Sequence, residues 1–248
     1  MGLFRYVGNK TRLLKFLPKP TEKVKTIIEP FAGSLAYSMF YGKPRVVGAE
    51  ANPLMYNLWE WLRTAAEAHD LDKLQQIHGP EKVDIRNIDL LEPERTLLQL
   101  QVCGAYVGTL CTYVTYPKHS IGLKKLREAL PYIKKSLVPM VRDYRQVDVS
   151  EKDSIVFIDP PYLSSSWDYK KKKVGHDVLI TPEEVEDFAL SLTQPVVFSY
   201  GTGAAETFTR LKWRKLVDVK VPILRGGGTK TRTEYVAILN HDSSLLSD

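Results

Sequence analysis

SIVFIDPPYLSSS, residues 154–166, opens as a strand and closes on an acid, two prolines and an aromatic ring. Ile155, Val156, Phe157 and Ile158 form a short, unbroken apolar run, the pattern of a central parallel strand covered on both faces. Pro160 and Pro161 have no backbone N–H to give to a ladder, so the strand ends there. Asp159 is therefore expected at the carboxyl end of a buried strand, where open α/β sheets bind their ligands. A plain turn would use the same residues, and the rest of the chain decides between the two readings.

Upstream, strands and helices alternate. GNKTRLLKFL places Leu13, Leu14 and Leu17 on a helical spacing with Thr11 as cap and Pro18 and Pro20 as stops. VKTIIEPFAGS reads as a strand running into a glycine turn, and LAYSMFYG as a helix stopped by Gly42. RVVGAEAN is a second strand ending on an acid. NPLMYNLWEWLRTAAEAH is an amphipathic helix with Asn52 as cap and Pro53 in its first position. Downstream of residue 145 the alternation resumes. Thr181 and Pro182 start a helix through EEVEDFALSL, PVVFSYG is a strand, and VDVKVPIL and EYVAILN form a closing antiparallel pair around RGGGTKTRT.

Between these halves the period is lost and then returns as helix. Leu123, Leu126, Leu130, Ile133 and Leu137 recur at spacings of three and four, with Pro131 implying a kink or break. From Lys118 to Arg145 eight Lys or Arg residues face only Glu128 and Asp143. The same region carries Tyr106, Tyr113, Tyr116 and Tyr132, a basic and aromatic mixture suited to phosphates and bases. A solvated helix face accounts for the charges equally well. The simplest architecture is one α/β domain, residues 1–58 and 145–248, interrupted by an insertion over 59–144.

The totals fit this layout. The 248 residues carry a net charge of +6, which suits a polyanionic partner. No stretch is long and apolar enough to span a bilayer, and the start MGLFRYVGNK lacks a signal-peptide core. Cys103 and Cys111 are the only cysteines, too few for a disulfide framework and without the partners of a zinc site. The expected compartment is the cytoplasm, with no metal.

The acids Glu29, Glu50 and Asp159 and the Gly33 turn would all lie along one edge of a parallel sheet. RYVGNKTRLL, IIEPFAGS, GAEAN, FIDPPY and RGGGTKTRTEYVAIL occur in that order. In this set the chain resembles the Dam-type S-adenosylmethionine-dependent DNA adenine-N6 methyltransferases, over about the first 60 and last 100 residues. The resemblance implies a Rossmann-like class I methyltransferase sheet with an inserted, largely helical target-recognition domain. It implies that Tyr6 and Lys10 hold the methionine end of the cofactor, and that Phe31, Gly33 and Ser34 line its pocket. Glu50 would bind the ribose hydroxyls, Asp148 the cofactor's adenine amine, and Asp159 would close the pocket beside the reacting methyl.

The implied catalytic set is Asp159, Pro160, Pro161 and Tyr162. Asp159 and the Pro160 carbonyl would each accept an N–H of the adenine amine, Pro161 would stiffen the turn, and Tyr162 would stack on a flipped base. Lys118, Lys124, Lys125 and Arg127 in the insertion, with Lys170 and Lys171 in the loop LSSSWDYKKKKVGHD, would contact double-stranded DNA. The implied setting is a bacterial or phage-infected cell, with no membrane partner, a cognate restriction enzyme as a further partner, and a monomer or weak dimer.

Two features depart from the family. The cofactor loop has one glycine where many relatives have two or three. The insertion carries LCTYVTYPKHSIG in place of an arginine-tyrosine-asparagine stretch, so no target sequence is carried over. Methylation of RNA or of cytosine N4, or a silent DNA-binding relative, are the competing readings.

Overall fold

A computed structural model describes residues 3, 10–77, 83–103, 113–114, 120–161, 180–222 and 229–247. Two three-residue 3-10 turns, Lys10–Arg12 and Leu14–Phe16, stand where the leucine spacing predicts one helix, and Thr11 lies inside the first turn rather than ahead of it as a cap. The strands and helices then follow in order. They are β1 (Lys19–Pro20), β2 (Thr26–Glu29), α1 (Ala36–Tyr41), β3 (Arg45–Gly48), α2 (Pro53–Thr64), α3 (Ala68–Gln75), β4 (Val83–Asp84) and α4 (Glu92–Cys103). The chain continues with β5 (Tyr113–Val114), α5 (Ser120–Ser136), β6 (Ser154–Ile158), α6 (Pro182–Ser191), β7 (Val196–Tyr200), α7 (Ala204–Thr207), β8 (Arg214–Pro222), β9 (Thr229–Leu239) and β10 (Leu246–Ser247).

The fold is mixed α/β around a six-stranded sheet in the order β3-β2-β6-β7-β9-β8. The first four strands run parallel, and β9 is antiparallel to both β7 and β8. Parallel bridges from Val46 to Leu137 and from Ala49 to Val141 carry the pairing one segment beyond β3. β1 pairs with β10, and β4 with β5, as small antiparallel ribbons.

β2, β6 and β7 are buried at every residue, which explains their unbroken apolar runs. Alternate side chains feed two cores. Ile27, Ile155, Phe157, Val197 and Val236 pack with Leu14, Leu17 and Tyr37 on one face, where the Tyr37 and Phe157 rings stack at 4.5 Å. Ile28, Val156, Ile158, Val196 and Phe198 pack with Val185 and Phe208 on the other.

A third core joins α2, α3, α4 and α5 to Ala32, Leu35 and Val46. The whole leucine stripe of α5 is buried in it, and the helix runs through Pro131 without a break, because the ring of Pro131 faces solvent. The 58/59 boundary expected from the sequence falls inside α2, whose Leu58, Trp59, Trp61 and Leu62 belong to this shared core. Asn52 caps α2 as expected, its Oδ1 accepting the Leu54 N–H at 3.0 Å ahead of Pro53. Thr181 and Glu184 close a reciprocal capping box on α6.

From β3 the chain returns to the far side of β2 to form β6, so the connections from β2 and β6 diverge at their carboxyl ends. That divergence opens a crevice of the kind in which open α/β sheets place ligands.

Candidate active site

Three of the residues singled out in the sequence meet at this crevice. Asp159 follows the last residue of β6, Gly33 turns the chain after β2, and Glu50 lies two residues beyond β3. Gly33 adopts a left-handed φ of 48°, which a residue with a side chain rarely takes. Both of its peptide groups are held. Its N–H donates to Glu50 Oε2 at 3.0 Å, and its carbonyl accepts from Trp59 Nε1 at 2.9 Å. Glu50 Oε1 accepts the Asn52 N–H at 2.8 Å, so each carboxylate oxygen is pinned by one backbone donor. Burial pushes the Glu50 pKa up to about 7 against the pull of those two hydrogen bonds. Ser34 is buried beside the turn, and the half-buried Phe31 ring packs on Tyr144 at 4.9 Å.

Asp159 keeps a fifth of its side chain exposed and meets a buried cation. Lys10, only 2% exposed, places Nζ 3.0 Å from Asp159 Oδ1 and 3.5 Å from Glu234 Oε2. Arg232 then closes on Glu234 Oε1 at 2.5 Å. Burial raises the Asp159 pKa to about 6, and Lys10 holds it from rising further. Pro160 is buried and Pro161 half-buried, so the chain leaving Asp159 is both stiff and packed.

Glu29 has a different use. Its Oε1 accepts the Ser38 N–H of α1 at 2.7 Å, and it is buried. Burial lifts its pKa to about 8. Glu29, Glu50 and Asp159 are therefore all raised above their ordinary values, and these three carboxyls hold more protons in the folded chain than in the unfolded one from about pH 5 to 8. Stability should fall as pH rises through that window, with a slope of up to about 1.4 kcal/mol per pH unit for each group between its unfolded and folded midpoints. Glu29→Gln keeps an acceptor for Ser38 and removes one titration, so urea midpoints measured from pH 5 to 8 should fall less than in the wild type. An equal fall in both proteins would refute the assignment of a protonated Glu29.

Asp148 is a correction. The chain from Val141, beside the end of β3, to Ser154 crosses from the carboxyl to the amino edge of the sheet, and Asp148 has already crossed. Its carboxylate accepts the N–H and hydroxyl of Ser150 at 2.9 and 2.6 Å and feels Arg45, the first residue of β3. The neighbouring Val149 carbonyl accepts from Gln194, just ahead of β7. Asp148 thus lies at the opposite edge from Asp159 and Glu50, and it is a turn residue.

On α5, Lys124 is exposed and Lys125 half-buried, while Arg127 pairs with Asp72 of α3 at 3.3 Å. Lys134 makes a similar pair with Glu67 at 2.5 Å. Part of the basic face therefore clamps α5 to α3. Tyr6, Tyr106, Tyr116, Lys118, Tyr162, Lys170, Lys171 and the remainder of the loop over residues 163–177 lie outside the described residues.

Sequence reasoning passed over three residues at the crevice. Glu234 and Arg232 come in on β9, and their signal was an acid on the buried face of an apolar strand. Arg142, which donates to the Ala51 carbonyl at 2.9 Å and draws the Glu50 pKa down, had no local signal.

No protein-family model matches the chain, and no curated protein matches its sequence.

Proposed function

We propose that the protein is a site-specific DNA adenine-N6 methyltransferase of the Dam type, using S-adenosylmethionine. The observation that carries this reading is the placement of Asp159-Pro160-Pro161 at the carboxyl end of β6, in one crevice with the Glu50-pinned Gly33 turn and with Lys10.

The residues at the crevice suit the cofactor. Glu50 is fixed by one backbone N–H on each oxygen, and each oxygen keeps a lone pair for a hydroxyl, as a vicinal diol requires. The turn at Gly33 has no Cβ to keep a ligand from the backbone, and Phe31 offers a half-buried ring. When bound, the cofactor supplies an activated methyl on sulfonium, so no metal or covalent nucleophile is needed.

The chain's own part is to bind and aim the amine. An adenine amine is a weak nucleophile because its lone pair is delocalised into the ring. Lys10 holds Asp159 Oδ1, and among the described residues no donor is seen on Oδ2, which is the oxygen left to accept a substrate N–H. The Pro160 carbonyl, fixed by its ring and by burial, is the acceptor for the second N–H. Two acceptors in this arrangement draw the nitrogen toward tetrahedral geometry and turn its lone pair toward the methyl donor.

The direct test is expression in a host without DNA methylation, followed by genome sequencing with modified-base detection. N6-methyladenine at one defined site is the expected result. An unmodified genome from cells containing folded protein contradicts the reading, and methyl groups on RNA or on cytosine would redirect it.

The DNA-contact role of α5 has its own test. Lys124→Ala combined with Lys125→Ala should weaken binding of a DNA duplex. The slope of log affinity against log salt should become shallower by up to about 2, since each phosphate contact contributes roughly 0.9. An unchanged slope would leave both lysines as solvated surface.

A further inference from the structure

We propose that Glu234 is a positioning residue for this reaction: from β9 it holds the Lys10 ammonium so that Lys10 fixes one oxygen of Asp159 and leaves the other for the substrate amine. The inference rests on the methyltransferase reading given above and adds to it a residue from a different strand.

The geometry is set by the sheet. Ile155 and Phe157 of β6 point into the core that also takes Val236 of β9, and side chains alternate along a strand. Asp159 therefore shares the face of Ile155 and Phe157, and Arg232 and Glu234 share the face of Val236. Between β6 and β9 runs β7, and Glu234 lies two residues along β9 from the position level with Asp159, so the two carboxylates start about 12 Å apart at the backbone. Lys10, on the first 3-10 turn, spans the gap with Nζ at 3.0 Å from one and 3.5 Å from the other. Ser199, the same-face residue of β7, is small and buried, so it leaves room for the lysine stem.

Along these ion pairs the charges alternate as Asp159, Lys10, Glu234, Arg232. Glu234 is fully buried, and burying a carboxylate is costly unless it is paired. A β-bulge lies on β8 opposite the Glu234–Tyr235 step, where the register shifts between Lys215 and Val217. Bulges commonly re-aim side chains next to active sites. A network built only to stabilise the fold would have no need to end on the crevice acid. Here both ends reach solvent, Asp159 with a fifth of its side chain exposed at the crevice and Arg232 with 30%, and Glu29 also feels the Asp159 charge.

The arrangement makes the two ends of the network act on Asp159 with opposite sign. Removing the Glu234 charge removes a like charge from Asp159 and a competitor for the Lys10 ammonium. Removing the Arg232 charge strengthens the hold of Glu234 on Lys10 and draws the ammonium away from Asp159. Both directions agree with the effects of Glu234 and Arg232 on the Asp159 carboxyl.

The experiment follows the Asp159 carboxyl by NMR in protein labelled at aspartate Cγ, with Asp159→Asn to assign the signal. Glu234→Gln should lower the Asp159 midpoint by about one pH unit, the size of a like charge acting across a shared partner. Arg232→Gln, at a partly exposed position, should raise it. At saturating substrates Glu234→Gln should slow methyl transfer about tenfold, with KM for DNA changed much less. A purely structural role predicts lowered melting temperatures with both midpoints unmoved, and that result overturns the inference. If Glu234→Gln fails to fold, the upward shift in Arg232→Gln decides alone. The titrations need no substrate. A wild type that methylates nothing overturns the functional reading, whereas unmoved midpoints in a wild type that does methylate overturn the role of Glu234 only.

Discussion

Asp159→Ala is expected to reduce methyl transfer by about 10³ while leaving the fold intact, the loss that follows when one preorganised partner of a transition state is removed. The fold should survive because Lys10 keeps a second carboxylate: with Asp159 gone, Glu234 at 3.5 Å still neutralises the buried ammonium. Asp159→Asn is the sharper variant. Lys10 donates to Oδ1, so an asparagine would turn its carbonyl oxygen toward the ammonium and its NH2 toward the crevice. A donor would then meet the N–H of the substrate amine, and Asn should be as inactive as Ala despite its matching shape. Single-turnover transfer of labelled methyl to duplex DNA measures both. An Asn variant close to wild type would show that Asp159 is not the acceptor, or that Lys10 does not set its orientation.

The acid at the end of β6 was legible in the sequence because the cause is local. Two prolines end the strand, and a strand buried on both faces has no reason to end on a carboxylate unless the edge is polar for another purpose. The same holds for the caps: Asn52, Gly42 and Thr181 each act on backbone groups within four residues. The stripe of α5 was legible because 3.6-residue periodicity is written along one element. Its proline does not break the helix, since an exposed ring can ride on the outside of a helix whose inner face is held by burial. The N-terminal leucines did mislead. A spacing of three satisfies a 3-10 turn as well as an α-helix, and Pro18 and Pro20 leave too little chain for a longer one.

The residues that escaped notice depend on contacts far apart in the chain. Nothing near Glu234 states that β9 will insert between β7 and β8, and only that insertion brings it toward a lysine at residue 10. Asp148 failed in the opposite way. It stands near β6 in sequence, but the connection between residues 141 and 154 spans the height of the sheet. How far along such a crossing a residue has travelled is a property of the path and not of the residue type.

Glu50→Ala should weaken S-adenosylmethionine binding roughly 10- to 200-fold, the equivalent of losing charge-assisted hydrogen bonds of about 1.5–3 kcal/mol. The substitution does two things at once. It removes the acceptor proposed for the ribose, and it strips the Gly33 and Asn52 N–H groups of their partner, so the turn after β2 should loosen as well. A cofactor analogue lacking one ribose hydroxyl separates the two effects. The wild type should bind it more weakly than the natural cofactor, whereas Glu50→Ala should bind the two nearly alike, because the acceptor that tells them apart is gone. Calorimetry across pH supplies a second check. Burial holds the Glu50 pKa at about 7, and hydroxyl donors favour the ionised carboxylate, so wild-type affinity should rise with pH through about 7 and then level off. That rise should vanish in Glu50→Ala. If Glu50→Ala still discriminates the deoxy analogue as the wild type does, Glu50 serves the turn and not the ribose, and the cofactor pocket must be sought on the other side of Gly33.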